Sequence, residues 1–453
     1  MKKAVQVQND PPLPAAYRAL RAGNYEQAEV KLSQALALDP AQPVILTDLG
    51  ALLRRRGRPR AAVACYRRAL ALSESAATYS NLGNALRDLG RLAEAETALR
   101  RAVALAPDQA GYAYNLALLL RDARQHEEAA ALMETLAAAA PDVADYAWDL
   151  ALTRLYLNDL ARGFAGYERR FGLARNPRRT FPGPPWIDED PAGRTLLVTS
   201  EQGFGDALQF IRFVPVLIAQ GARVILECQP ELIDLFGTIP GLAGLIEKGA
   251  APPPFDLWVP IASLPHRLGL GSRIGIPDQV PYLDPAPAPL PALPPLAPAA
   301  RLRVGLIWAG KLTPRDRSWS LEALMPLLER PDIAWVSLQK GPRAADVREQ
   351  GLESVVVDAE ALGALNSFAD TARLMCTLDL VVTIDTSTAH LAGALGRPVW
   401  VLLRYVSDWR WRDEGTTSPW YPTMRLFRQA DPDDFAGPVA AMGAAFDALE
   451  TNR

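Results

Sequence analysis

The sequence predicts an α plus α/β chain: paired helices to about residue 171, then two strand–helix lobes from residue 195 onward. Three observations predict it. Small and large residues recur at steps of 33 or 34 through the first third, the spacing of a stacked helix-pair unit. Near residue 195 that period gives way to short β-branched runs, each ending in a polar turn and a helical pattern. A proline run, Pro285 to Pro298, then cuts the second part in two.

The repeat is read position by position. Ala28, Ala62, Ala95, Ala129 and Gly163 keep the step, with Leu32, Tyr66, Leu99, Met133 and Tyr167 four places after each. Gly50, Gly83, Ala117 and Ala151 form a second series, each preceded by Leu. Small residues let two helices approach, and a large residue one turn on fills the space beside them. Pro40, Pro107 and Pro141 stop helices at matching places, with Ser73 standing in once. The segment resembles tetratricopeptide repeats, about four and a half units between Pro14 and Arg170. That resemblance implies a superhelix whose groove takes a protein segment, with a plain spacer as the bland alternative. Arg54 to Arg60 is a basic run at an inter-helix turn, read as a solvated helix end and not a nucleic-acid contact.

Composition restricts the class. The 453 residues carry a formal charge of −3, are 49% hydrophobic and 22% charged, and hold three cysteines and three histidines. This is globular composition for two or three domains, and it argues against a general nucleic-acid or membrane binder. Cys65, Cys228 and Cys376 are too far apart for a zinc site, and an odd number argues against a disulfide framework. Met1 to Asp10 has basic residues without an apolar stretch behind them, so a cytoplasmic protein is expected.

The boundaries follow from these changes in pattern: a repeat domain over 1–171, a proline-rich connector over 172–194, a first lobe over 195–284, a linker over 285–300 and a second lobe over 301–453. The first lobe opens with a strand at Thr195–Thr199, a turn at Glu201–Asp206 and a helix from Ala207 to Gln220. Strands at 222–227 and 255–260, with a helix at 231–236 between them, follow. The second lobe opens with strands at 302–308 and 333–338. Ligands of open α/β sheets sit beyond the carboxyl ends of the strands. The turns found there are polar: Glu201–Asp206, Trp308–Lys311, Gln339–Gly341 and Asp385–Thr388.

The most informative stretch is 378–398. Leu378–Ile384 is a strand, Asp385–Thr388 a polar turn, and Ala389–Leu395 a helix of small residues closed by Gly396 and Pro398. Unpaired first-turn amides and the positive end of the helix dipole favour phosphate or carboxylate there. The hydroxyls of Thr386, Ser387 and Thr388 add donors.

These lobes resemble GT-B glycosyltransferases with two Rossmann-like lobes, most closely the heptosyltransferase signature around Asp385, Thr386, His390, Leu391 and Ala392. Repeats followed by such lobes look like bacterial protein glycosyltransferases, including those that act on flagellin, and in layout are similar to O-GlcNAc transferase. Further carriers are 201–206, 304–310, 337–340, 368–372, 408–411 and 418–422. The resemblance implies an inverting, metal-independent enzyme with a nucleotide-sugar donor and no cofactor. It makes Asp206 the base for the acceptor hydroxyl, a residue that is otherwise read as a helix N-cap. Glu201 is the substitute base.

On the donor side the resemblance assigns Arg317 to the phosphates, with Lys311, Arg315 and Lys340 as neighbouring cations. Gln339, Asp385, Thr386, Ser387, Thr388 and His390 complete that site, His390 with a core role as its alternative. Trp400, Trp409, Trp411 and Trp420 offer faces for a sugar or a base, or else a packed core. Arg410 among them is a candidate reader of carboxylate or phosphate. Asp188–Asp190 and Asp431–Asp433 have the form of metal-binding triplets, but read as acidic turns.

The function expected is transfer of a sugar to Ser or Thr of a protein recruited by the repeats. Flagellin with a CMP-activated nonulosonic acid such as pseudaminic acid, or UDP-GlcNAc, are the pairings the resemblance implies. A transferase for surface polysaccharide or lipid-linked glycan, and a non-catalytic adaptor with retired lobes, are the rivals.

Overall fold

The computed structural model describes residues 11–312 and 316–451. Arg315 lies outside the described residues, as does the segment before Pro11. The chain divides into two compact units, Met1–Thr153 and Arg154–Arg453.

The first unit is built from antiparallel helix pairs: α1 (Pro12–Arg21) with α2 (Tyr25–Leu38), α3 (Pro43–Arg55) with α4 (Pro59–Leu72), α5 (Ala76–Asp88) with α6 (Leu92–Leu105), and α7 (Ala110–Asp122) with α8 (His126–Ala139). Helix α9 (Ala144–Tyr156) follows. The two small-residue series do what their spacing requires. A Cβ added at Gly50 would stand 2.6 Å from the Tyr66 ring, and one at Gly83 would stand 2.5 Å from Leu99. Each helix backbone therefore rests directly on the large residue of its partner. Within each pair the chain reverses through a left-handed residue, Gly23, Gly57 and Gly90, then Arg124. Glycine takes that conformation without the steric cost other residues meet. The basic run around Gly57 is neutralised locally, Arg54 on Asp88 at 2.6 Å and Arg58 on Glu29 at 2.6 Å.

The second unit begins before the sequence places it. Helix α10 (Leu160–Tyr167) and the 3-10 turn Glu168–Gly172 belong to it, whereas the period of the repeats carries the first domain to residue 171. The reason is burial. Phe164 makes edge contacts with Phe210, Trp409 and Trp420 at 5.6–6.4 Å, and Arg170 is 1% exposed. The connector is likewise built in. Trp186 N–H donates to the Trp258 carbonyl at 2.8 Å, extending a sheet edge, and Arg179 donates to both oxygens of Glu227.

The first lobe holds β1 (Thr195–Thr199), α11 (Phe204–Phe210), α12 (Val214–Ala219), β2 (Arg223–Cys228), α13 (Ile233–Phe236), β3 (Gly244–Glu247), β4 (Leu257–Pro260) and α14 (Leu264–Leu268). The helix expected over 207–220 starts earlier and is interrupted, tightening to 3-10 at Ile211–Phe213. Pro215 explains the break, since it has no N–H to continue the ladder.

The second lobe holds β5 (Leu302–Leu306), α15 (Leu321–Leu328), β6 (Ile333–Ser337), α16 (Asp346–Glu349), β7 (Val356–Asp358), α17 (Phe368–Cys376), β8 (Leu380–Ile384), α18 (Ser387–Ala394), β9 (Val399–Leu403), β10 (Met424–Arg428) and α19 (Ala436–Thr451). The linker at 285–300 has neither helix nor strand. Its Pro294 and Ala286 carbonyls accept from Arg303 and Arg373.

Both sheets are wholly parallel, ordered β3-β2-β1-β4 and β10-β9-β8-β5-β6-β7. In each, the chain starts inside the sheet, builds to one side, then returns to build on the other. The strands that part company are β1 and β4 in the first sheet, β5 and β8 in the second. Loops leaving such neighbours run in opposite directions and open a crevice at their carboxyl ends.

Candidate functional site

The crevice of the second sheet is lined by the turns after β5, β6 and β8. Gly310 approaches Thr386 so closely that a Cβ on it would lie 3.1 Å from the Thr386 methyl. Gln339, 7% exposed, fixes the β5 turn by accepting from the amides of Trp308 at 3.3 Å and Ala309 at 2.9 Å. The Gly310 amide donates to Ser318 at 3.1 Å. Thr386 stands at the N-cap of α18 without a side-chain capping bond, and its hydroxyl donates to the Ile384 carbonyl at 3.4 Å. Ser387 and Thr388 form the first turn, where backbone amides have no intrahelical partner.

The first lobe meets this turn directly. Gly205 in α11 packs on α18, where an added Cβ would stand 3.1 Å from the His390 ring and 3.6 Å from Ser387 Cα. Two helix starts, one from each lobe, thus touch. Asp206 is the third residue of α11 and not its N-cap, which is Gly203. The carboxylate reaches back instead, with Oδ2 accepting from the Gly203 amide at 3.1 Å.

Charged groups of both lobes converge here. Arg410 Nη2 donates to Asp206 Oδ1 at 2.7 Å, its Nη1 to Asp408 at 2.9 Å, and its Nε to Gln209. Trp409 lies beside the same guanidinium, with 4.3 Å to the ring centroid. Across the crevice Arg317 donates to Asp385 at 2.9 Å. Burial raises the pKa of Asp206 and of Asp385 above the ordinary aspartate value, with Arg410 and Arg317 respectively opposing it. Asp206 keeps 26% of its side-chain surface open, Asp385 only 7%.

His390 is 5% exposed, stacks on Trp411 at 5.1 Å, and its Nδ1 shares a 2.8 Å hydrogen bond with the Tyr421 hydroxyl. Burial, with Arg410, Arg212 and Arg317 nearby, holds its pKa well below the usual histidine value, so it is neutral at pH 7.

Other sequence candidates are engaged within the protein or exposed to solvent. Glu201 is the anion of a buried pair, accepting from Arg170 Nε at 2.9 Å and Nη2 at 2.6 Å, and burial raises its pKa. Lys340 turns its ammonium to the Leu365 carbonyl, and Lys311 is exposed. The four tryptophans are core: Trp400, Trp409, Trp411 and Trp420 are all 7% exposed or less. They offer no open platform for a sugar. Arg410, read from sequence as a ligand reader, has its guanidinium engaged within the protein. The two acidic triplets are turns, Asp190 accepting from Ala192 and Asp434 donating its amide to the Asp431 carbonyl. Among the described residues no cluster of three His, Cys, Asp or Glu is arranged for a metal ion.

Sequence reasoning gave no role to Asp408, although 408–411 carries the resemblance, and did not single out Gln209 or Arg212. Arg212, 2% exposed, donates to the carbonyls of Trp420 at 2.7 Å and Pro277 at 3.1 Å and faces the Tyr421 and Tyr282 rings at 4.6 and 4.7 Å. A basic residue inside an apolar helical run, Ile211-Arg212-Phe213-Val214, was the available signal.

Residues 13–76 and 47–110 match the tetratricopeptide repeat family, so this part of the chain consists of such repeats, a fold of protein-interaction modules. Protein FlbA of Caulobacter vibrioides (strain ATCC 19089 / CIP 103742 / CB 15) is 31% identical over 305 residues, 60% of this chain. The chain spans about half the length of that relative, 50%. Among solved structures, MamA from Desulfovibrio magneticus RS-1 is 23% identical at a TM-score of 0.32, over 35% of this chain and 88% of that one. PilF of Pseudomonas aeruginosa is 23% identical at 0.33, over 37% and 76%. YrrB, described as a TPR protein with an unusual peptide-binding site, is 18% identical at 0.33, over 38% and 90%. No helix among the described residues is long and apolar enough to cross a membrane.

Proposed function

We propose that the chain is a GT-B glycosyltransferase that moves a sugar from a nucleotide donor to a Ser or Thr hydroxyl of a protein recruited by the repeats. One observation carries the reading: the first turn of α18, with Arg317 bound to the neighbouring Asp385, lies against Gly205 of the other lobe, next to Asp206. In the transfer the acceptor O–H gives its proton to Asp206 while its oxygen bonds to the anomeric carbon. The bond from that carbon to the nucleotide phosphate breaks, and its electron pair stays on the phosphate oxygen. A carboxylate with raised proton affinity and an open side suits the first role. Unpaired amides with a partly exposed guanidinium suit the second, since both are fixed where negative charge develops. No metal is called for.

Flagellin is the acceptor in this reading, with a CMP-activated nonulosonic acid as donor, and UDP-GlcNAc is the donor for a more general protein acceptor. The adaptor reading has its own support. Asp206 and Asp385 each already hold an ion pair within the protein, as they would in a lobe pair that no longer turns over. A calorimetric screen of the full chain against UDP, CMP, ADP and GDP decides, with Arg317→Ala and Thr386→Ala beside it. Binding of one nucleotide, weakened at least about tenfold in Arg317→Ala, supports transfer. No binding to any of them leaves the adaptor.

A further inference from the structure

We propose that Arg410 is the positioning residue of Asp206, a fixed guanidinium that aims the carboxylate into the crevice for its encounter with the acceptor. This rests on the transfer reading above. Three features of the geometry carry it.

First, the guanidinium is immobilised. Its Nε donates to Gln209, which is 0% exposed, its Nη1 to Asp408 at 2.9 Å and its Nη2 to Asp206 at 2.7 Å. Trp409 and Phe210 stand over it at 4.3 and 5.7 Å. Arg410 itself is 7% exposed. A side chain held on three edges and beside two rings sets the direction of whatever it bonds to.

Second, the contact leaves the carboxylate usable. Asp206 Oδ1 takes one bond from Arg410 and Oδ2 one from Gly203. A carboxylate has about four lone-pair directions, so roughly two remain for a hydroxyl. Third, the pair spans the lobes, Arg410 from the second and Asp206 from the first. The base is thereby registered against the α18 turn and not only against its own sheet.

The charged and titratable groups facing Asp206 are Arg410 and Asp408 from the loop after β9, Arg317 from the loop before α15, Tyr167 from α10, and Glu201 from its own turn. The ring of His390, from α18, packs on the adjacent Gly205. Burial pushes the Asp206 pKa up and Arg410 opposes that push, so removing the guanidinium must raise the pKa further.

The test uses the full chain labelled with carboxyl-13C aspartate, the Asp206 resonance being assigned by its loss in Asp206→Asn. Arg410→Gln is expected to move the Asp206 titration midpoint up by at least about one pH unit. Arg410→Lys, which keeps the charge but loses the fork, should move it less. A midpoint unchanged in Arg410→Gln overturns the proposal. Should that variant not fold, Arg410→Lys decides, an upward shift supporting the role and none overturning it. The nucleotide screen separates the two ideas. Binding without the shift overturns the positioning role alone, and a shift without binding to any nucleotide overturns the transfer reading on which that role rests. Once a donor is found, Arg410→Lys should lower kcat and move its acid limb to higher pH with the donor KM unchanged, which loss of packing alone would not do.

Discussion

Arg170 gives the sharpest test of what Glu201 does. Its guanidinium is 1% exposed and donates to Glu201 twice, to Glu168 at 2.6 Å, to Ser263 at 2.7 Å and to the Tyr167 carbonyl at 3.2 Å. Arg170→Met keeps most of the volume but leaves Glu201, 10% exposed, as a buried carboxylate with its counter-ion gone. Breaking a buried pair in this way costs about 3–5 kcal/mol at pH 7.5.

The pH dependence has a definite sign. Glu201 already binds its proton more tightly folded than unfolded, so the stability it contributes is present at low pH and is lost as pH rises through the folded pKa. Removing Arg170 raises that folded pKa again. The variant should therefore recover much of its loss at pH 5, where Glu201 takes up a proton and only an unsatisfied neutral group of about 1–3 kcal/mol remains. Urea unfolding at the two pH values measures this, followed by tryptophan fluorescence. Nine of the ten tryptophans lie beyond residue 153, so the signal reports the second unit. A loss below about 1 kcal/mol, or an equal loss at both pH values, refutes the view that Glu201 is the structural anion of Arg170. Adding Glu201→Leu to Arg170→Met should restore stability toward the wild type, because no orphaned charge is then left.

Gly57→Ala forces a left-handed turn on a residue with a Cβ and should destabilise the repeats by about 1 kcal/mol, read from the helical circular-dichroism melt. Gly83→Val meets both Leu99 at 2.5 Å and the Ala95 carbonyl at 3.2 Å, so it should cost about 1–3 kcal/mol in the same melt. Gly205→Val should displace His390 from Tyr421 and weaken nucleotide binding more than it lowers the melting temperature, compared by calorimetry and thermal scan.

The order of elements was legible because periodicity is local. A helix pair that must approach through Gly50 or Gly83 writes that need at fixed intervals, and a parallel strand buried on both faces writes a run such as Leu380–Ile384. The polar turns were legible for the same reason, since they follow those runs directly. What the sequence could not show is pairing over 31 to 208 positions: Arg170 with Glu201, Arg410 with Asp206, Arg212 with the Trp420 carbonyl. Arg170 and Arg410 look like any other charged residues until the fold buries them, and the apolar run around Arg212 marks its burial but not its partners. Yet burial itself constrains the answer, because a guanidinium cannot be deprotonated and must find acceptors wherever the fold puts it.

That constraint orders the candidate site. Arg170 consumes Glu201, which leaves Asp206 as the carboxylate of its turn with surface still open to a hydroxyl. Arg410 consumes its own donors on Asp206, Asp408 and Gln209, which leaves Arg317, 34% exposed and tied to Asp385 by one edge, as the guanidinium of the crevice with donors to spare for a phosphate. Within the proposed transfer, the arginines favour Asp206 over Glu201 as the base and Arg317 over the neighbouring cations as the phosphate contact. If Arg317 turns from Asp385 to a bound phosphate, Asp385 loses the charge that opposes the upward push of burial, and its proton affinity rises further. Nucleotide binding measured by calorimetry in two buffers of different ionisation enthalpy should therefore show net proton uptake at pH 7 in the wild type and none in Asp385→Asn. Equal heats in both buffers for the wild type would refute an exchange of Arg317 from Asp385 to the phosphate that is coupled to protonation of Asp385.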